Sequence, residues 1–400
     1  MKTDGHPACP KLHIFLTVFI IFTVLTASLM EFIEPILYIG ISQTFFAGLL
    51  IATKKPISIA NRLMAALLFM LFFDLIFALV KIKFIILYSF PFIAFTYGPL
   101  LYLYVRFMTH TRLKFNWLNL LHFLPFIAFF IISVIFRSDK TFTDLAGYFV
   151  ADRYISVRIV YSVSFFLSIS AYSILAFIEI RDHQKHLKDL VSYTSGVITL
   201  NWLKIISISF YVTYIIFFIL GGINLIVNFL PFDPYYTIFV FIALFSFIYS
   251  FYAVNQPVLV GVIALDDDVP DRKDGESSYR RSGLKGNQAG KLLGKLIDYM
   301  ETGKPYLDRD LSIHDLSVAT GIARHHITQV LNENHNRNFF MFINEYRVNE
   351  VIERMKLPEN RNYTILAIAY DSGFNSKSTF NSIFKAMTGL TPSQFRDKQV

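Results

Sequence analysis

Seven stretches of about twenty mostly apolar residues fill the first two thirds of this chain, and they leave few choices of fold. A helix needs roughly 20 apolar residues to cross about 30 Å of hydrocarbon. The stretches run Ile33–Ala52, Ala60–Val80, Phe84–Phe107, Leu118–Phe136, Ile155–Ile178, Ile205–Val227 and Tyr236–Ala253. Composition agrees: 54% of the 400 residues are hydrophobic, 43 are Phe and only 16% are charged. An ordinary soluble domain carries about a quarter charged residues. A polytopic helical membrane domain is therefore expected over residues 33–256.

The charges between these stretches set an orientation. Lys54, Lys55 and Arg62 follow the first stretch, Arg106, Arg112 and Lys114 the third, and Arg181, Lys185 and Lys188 the fifth. The loop after the sixth, Asn228 to Tyr235, has no Lys or Arg. Positively charged loops stay on the cytoplasmic side. Seven crossings then put the C-terminus in the cytoplasm, as expected for an inner-membrane, multi-pass bacterial protein. Residues 1–32 form a separate region, in which Lys11 precedes the apolar run Leu12–Leu29. An eighth span, a signal peptide and an extension upstream of an initiator at Met30 are all open readings. None changes the side on which the C-terminus falls.

Polar residues inside the apolar stretches mark where a signal could enter. Asp74 lies within Leu67–Val80, and His122 precedes Pro125 in Leu-Leu-His-Phe-Leu-Pro. A carboxylate facing lipid is costly, so Asp74 should face other helices. Interhelical bonding is the commoner use of such residues, and Asp74 and His122 are kept as candidate input positions. The segment Arg137–Tyr154 is the longest outer loop, too short for a sensor domain. One cysteine, Cys9, excludes an internal disulfide framework, and no Cys/His spacing suits zinc. No cofactor is expected.

Residues 257–288, containing Asp266-Asp-Asp-Val-Pro-Asp-Arg-Lys-Asp-Gly-Glu-Ser-Ser, have no apolar period and read as a linker. From 289 to 400 the chain becomes a soluble all-α domain. Leu292, Leu293, Leu296, Ile297 and Met300 give one amphipathic helix, stopped by Gly303 and Pro305.

One pattern then occurs twice. Ser312 caps a helix with Ile313, Leu316 and Ala319 inward. Gly321 supplies a tight turn, and a helix from about Arg324 to Asn332 buries Ile327, Val330 and Leu331. Arg324, His325, His326, Thr328 and Gln329 are left outward. In the second copy Ile365, Ile368 and Ala369 precede Gly373-Phe374, Ser376 caps, and Phe380, Ile383 and Phe384 are buried. Lys377, Ser378, Asn381 and Ser382 face out. Such side chains reach base edges and phosphates in a major groove. The turn glycines lie 52 positions apart, so these are two units. Between them Phe339–Lys356 reads as one helix, about 27 Å long at 1.5 Å per residue. That length suits recognition helices spaced near the ~34 Å of successive major-groove faces. The domain is only mildly basic, with 14 Lys and Arg against 12 Asp and Glu from Lys291 to Val400.

The run Ala369-Tyr-Asp-Ser-Gly-Phe-Asn-Ser-Lys-Ser-Thr-Phe-Asn-Ser-Ile-Phe-Lys385, with Gly389-Leu-Thr-Pro-Ser-Gln-Phe-Arg396, resembles the signature of the AraC/XylS transcription regulators. Tyr279-Arg-Arg-Ser-Gly-Leu284, Lys304-Pro-Tyr-Leu-Asp308, Asn338-Phe-Phe-Met-Phe-Ile-Asn-Glu-Tyr-Arg-Val348, Ala60-Asn-Arg-Leu-Met64 and Tyr97-Gly-Pro-Leu-Leu-Tyr-Leu-Tyr-Val-Arg106 resemble its membrane-attached branch in Bacteroidetes-like bacteria. The resemblance implies base contacts from His325, Thr328 and Gln329, and from Lys377, Ser378 and Ser382. Two departures stand out: Ala323 replaces the usual capping Ser, and Ser382 stands where Arg is common.

The expected protein is a one-component transcription regulator, controlled by a signal sensed in the membrane and not an enzyme. Its expected partners are promoter DNA and the lipid bilayer, with pairing into a homodimer a further expectation and the signal ligand unspecified. The alternative is a membrane receptor whose C-terminal helices bind a protein partner. An enzyme is disfavoured, because no metalloprotease His-Glu-x-x-His, phosphate loop or nucleophile elbow is present.

Overall fold

The computed structural model describes residues 33–83, 92–110, 113–135, 155–193, 198–227, 234–256 and 286–398. Among them it is helical throughout, and the only extended pairing is an isolated antiparallel bridge, Val191 with Ser312. The apolar run before Met30, the loop Arg137–Tyr154 and most of the linker lie outside the described residues.

The chain forms two compact units. One contains residues up to Ile178 and Trp202–Pro257, and the other Glu179–Asn201 and the chain from Val258 onward.

In the first unit the helices are α1 (Ile33–Thr53), α2 (Ile59–Lys83), α3 (Tyr97–Thr109), α4 (Leu124–Ile135), the opening part of α5 (Ile155–Leu190), α6 (Asn201–Val227) and α7 (Pro234–Asn255). Among the described residues six helical segments are long and apolar enough to cross a membrane: Ile33–Thr53, Ile59–Val80, Trp117–Ile135, Ile155–Leu190, Asn201–Asn224 and Ile238–Asn255. The seventh expected stretch, Phe84–Phe107, lies partly outside the described residues. Its described part is a 3-10 turn, Phe92–Thr96, that leads into α3. Large apolar side chains such as Ile39, Phe46, Leu167, Ile205 and Phe251 stand outward. A soluble surface rarely tolerates that much exposed hydrocarbon, whereas lipid accepts it.

Specific polar contacts tie these helices. Gly40 brings α1 close to α7: a Cβ there would lie 2.9 Å from the Ala243 Cβ. One turn on, Gln43 donates to the Ser250 hydroxyl at 2.7 Å and accepts from Ser246 at 3.1 Å. The Lys54 ammonium donates to the carbonyls of Ala253, Val254 and Gln256 at 3.0, 2.7 and 2.6 Å. A cation there satisfies the orphan acceptors at the C-terminus of α7 and opposes the negative end of its dipole. Trp202 stacks on Tyr252 and donates to the Gln256 side chain at 2.8 Å. As expected, Asp74 faces other helices: it is buried and accepts the Tyr97 hydroxyl. His122 Nδ1 lies 3.0 Å from the Tyr172 hydroxyl.

The fifth apolar stretch ends at Ile178, but α5 continues for another dozen residues to Leu190. Its 36 residues make a helix of about 54 Å, well beyond a ~30 Å hydrocarbon layer. Neither Gly nor Pro interrupts it, and from Glu179 it becomes polar. This end of α5 belongs to the second unit. There the turn at Ile198–Leu200 is pinned back on it: His183 Nε2 lies 2.9 Å from the Ile198 carbonyl, and Gln184 donates to Thr199 O at 2.8 Å.

The second unit adds α8 (Gly286–Gly303), α9 (Ile313–Thr320), α10 (Arg324–Asn334), α11 (Phe339–Lys356), α12 (Ile365–Asp371), α13 (Lys377–Thr388) and α14 (Pro392–Asp397). The amphipathic pattern places α8 correctly, with Leu296 and Met300 buried. Helix α11 runs between the two repeats as expected, capped by Asn338, whose Oδ1 accepts from Met341 N at 2.9 Å.

Candidate nucleic-acid interface

The first repeat is built on a strong cap. Ser312 Oγ accepts from the Asp315 amide, and the Asp315 carboxylate accepts from the Ser312 amide at 2.8 Å. This capping box starts α9 at a fixed residue. Gly321, at φ +66°, reverses the chain, and Ala323 enters α10 without a side-chain cap. The missing Ser hydroxyl therefore leaves that helix start with one orphan donor fewer satisfied.

Of the residues expected to face outward on α10, His325 is exposed, and Arg324, His326 and Thr328 are partly exposed. Thr328 donates to its own helix at Arg324 O, 3.2 Å away. Gln329 differs: it is 6% exposed and donates to Glu333 at 3.0 Å. It follows Ile327 by two positions and precedes Val330, so a small rotation of the helix takes it under. The His325 and His326 rings lie 4.0 Å apart although adjacent positions diverge by about 100° around a helix. Burial and the neighbouring His325 hold His326 below the usual imidazole range. No cluster of three potential metal ligands occurs among the described residues.

The second repeat presents its candidates more openly. Thr364 caps α12 by accepting from the Ala367 amide at 3.1 Å, and Ser376 caps α13 by accepting from Thr379 N. Phe374, Phe380, Ile383 and Phe384 are buried, with edge-to-face ring contacts from Phe374 to Phe380 and from Phe380 to Phe384. That core leaves Lys377, Ser378, Asn381 and Ser382 all exposed. Lys385, not among the outward residues expected from the sequence, is exposed on the same helix. The spacing Lys377, Asn381, Lys385 is i, i+4, i+8, one stripe along α13.

The second repeat rests on α11. Phe340, Val348 and Val351 share one apolar core with Ile368, Phe374, Phe380 and Phe384. On the same helix Arg347 is 1% exposed. Its Nε donates to Tyr306 O at 2.8 Å and its Nη2 to Asp308 O at 2.6 Å. Burial pushes the guanidinium down to about 10, with Asp308 and Asp310 opposing the shift, so it stays cationic at neutral pH. Asp74 and His122 lie in the first unit and take no part in this surface.

Residues 316–398 match the family described as a helix-turn-helix domain. Among curated proteins the chain is similar to uncharacterized HTH-type transcriptional regulators of Staphylococcus aureus, from strains COL and MSSA476, at 32% identity over 105 residues. That stretch is 26% of this chain and spans only 13% of the length of those relatives. No solved structure matches. The C-terminal segment of this chain is a helix-turn-helix domain of the AraC type.

Proposed function

We propose that this protein is a membrane-embedded transcription regulator that reads promoter DNA with both helix-turn-helix units and answers to a signal received in its membrane helices. The observation that supports this reading is the helix, Gly turn, helix pattern on either side of one 18-residue helix, with the exposed stripe of α13 and the exposed His325 of α10 suited to successive major-groove faces. Lys377 and Lys385 are suited to phosphates, while His325, Ser378, Asn381 and Ser382 are of the type that reads base edges. Arg324, His326 and Thr328, partly exposed, would make contacts at the groove rim, and Gln329 would have to leave Glu333 to reach a base.

The loop charges favour an inner-membrane protein of seven crossings with these units in the cytoplasm. Pairing of two copies on adjacent half-sites fits the same reading. Asp74 with Tyr97, and His122 with Tyr172, are the polar contacts within the apolar helices that an incoming signal could rearrange.

The test uses the full chain in lipid nanodiscs and fragmented genomic duplex DNA. Repeated selection should converge on a motif whose protected segments lie one helical turn apart, and Lys377→Ala with Asn381→Ala should lose it. Recovery of random fragments only, with no effect of those substitutions, would overturn the reading.

A further inference from the structure

The dipeptide that follows the long helix α5 is docked into the core of the helix-turn-helix unit. Val191 and Ser192 are both buried. Val191 forms the antiparallel bridge with Ser312, the residue that caps α9. The Ser192 amide donates to Leu311 O at 3.2 Å, and its hydroxyl donates to the same carbonyl at 2.7 Å. From the other side, Arg347 donates Nη1 to Ser192 O at 3.0 Å and Nη2 to Ser192 Oγ at 2.9 Å. Asn344, fully buried one turn earlier on α11, donates to Ser192 O at 2.9 Å. Next in the chain, Tyr193 is close enough to Asp310 and Asp315 for their charges to add to burial in raising its phenol above the usual range.

These contacts reach both repeats. Leu311 and Ser312 start the first helix of the first repeat. Arg347 reaches the turn of the second, because a Cβ on Gly373 would lie 2.9 Å from its Nε. Ser192 therefore satisfies part of a buried cation that is bonded to the backbone at Tyr306 and Asp308 and packed against the Gly373 turn. Withdrawing Ser192 would break the Nη1 bond of Arg347 and remove one bond each from its Nη2, which keeps Asp308 O, and from Asn344 Nδ2, which keeps Phe340 O, a cost the buried site can relieve only by rearranging.

We propose that the surface formed by Leu311, Asn344 and Arg347 is a receptor for the Val191–Ser192 segment, and that through it α5 sets the relative placement of the two DNA-reading units. The regulatory meaning rests on the function proposed above; the coupling itself does not. It converts a displacement of α5 into a change at two places at once, the cap of α9 and the turn before α13.

Amide hydrogen exchange of the full chain in phosphatidylethanolamine/phosphatidylglycerol nanodiscs tests it without any knowledge of the operator. Ser192→Ala removes both hydroxyl bonds, and Asn344→Ala removes one bond to Ser192 O from the opposite side. Each should accelerate exchange about three- to tenfold, as expected for the loss of one or two hydrogen bonds. The acceleration should appear at residues 312–316 and 372–374, leaving the body of α13 unchanged, and Ser192→Thr should restore protection. No change at either place, a change at only one, or a uniform rise across residues 286–398 would overturn the proposal, the last by reducing Ser192 to a general contributor to stability. A parallel titration with a fluorescent random-sequence duplex at low salt separates the two claims. If neither protein binds duplex, the proposed function fails while the exchange pattern still decides the coupling.

Discussion

Gly373 is packed directly on Arg347: a side chain at this glycine would begin 2.9 Å from the guanidinium Nε and 2.2 Å from the Tyr306 carbonyl. Its φ of +93° adds a conformation that L side chains rarely adopt. Gly373→Ala should therefore destabilise the C-terminal unit by about 3 kcal/mol, since strain and a backbone clash act together. Gly321→Ala makes the control. It has a similar turn role at φ +66°, but nothing lies within 4 Å of the added carbon. That substitution should cost only about 1 kcal/mol. Pulse proteolysis of the full chain in denaturant measures both, and equal losses would refute the packing argument.

The carboxylate of Glu350 gathers three donors: Lys304 at 3.0 Å, the Tyr306 hydroxyl at 3.1 Å and Arg354 at 2.8 Å. Burial works to raise its pKa, but the bonds from Arg354, Lys304 and Tyr306 outweigh it and hold the group below the usual carboxylate range. A depressed folded pKa contributes stability above the unfolded value, near 4.5, which is lost as pH falls through the folded value. Glu350→Gln should cost about 1–2 kcal/mol at neutral pH. The difference from the parent should shrink as pH falls through the depressed folded pKa, and a gap independent of pH would contradict the assignment.

Exposed Lys377 and Asn381 should behave differently on α13. Lys377→Ala is expected to weaken binding to all duplexes alike and to lower the slope of log affinity against log salt by about 1. Asn381→Ala should cost about 1–3 kcal/mol on the preferred site and little on others. Fluorescence anisotropy over a salt series distinguishes the two. Gln329→Ala, by contrast, should lower stability more than it lowers specificity, because this residue is buried against Glu333.

Within the apolar helices, Tyr97→Phe would leave the buried Asp74 carboxyl without the hydroxyl it accepts. The expected cost is about 1–3 kcal/mol of stability in the membrane unit. Thermal unfolding in detergent reads it, and an unchanged midpoint would mean that Asp74 is satisfied elsewhere.

The parts of this fold legible in the sequence are those fixed by local chemistry. Gly321 and Gly373 announce turns because only glycine accepts them cheaply, and Ser312 and Ser376 each cap a helix. Phe380, Ile383 and Phe384 give the buried side of α13 by spacing alone, which leaves its outward stripe readable. Gln329 was harder, since its position borders the apolar face and a few degrees of rotation decide burial. The contact between Ser192 and Arg347 is not legible at all. Ser192 and Arg347 are 155 positions apart, and an arginine in a polar helix is usually solvated. Nor does an apolar run show how far a helix continues once its side chains turn polar, which is why α5 ends at Leu190 and not at Ile178.

The most direct test of the account is a map of where the full-length, membrane-inserted protein sits on the chromosome of its host, compared with a Lys377→Ala, Asn381→Ala variant present at the same level in the membrane. Discrete occupancy upstream of a small set of genes, lost in the variant, is the predicted result. Membrane insertion with no chromosomal enrichment in either strain would contradict a DNA-reading role.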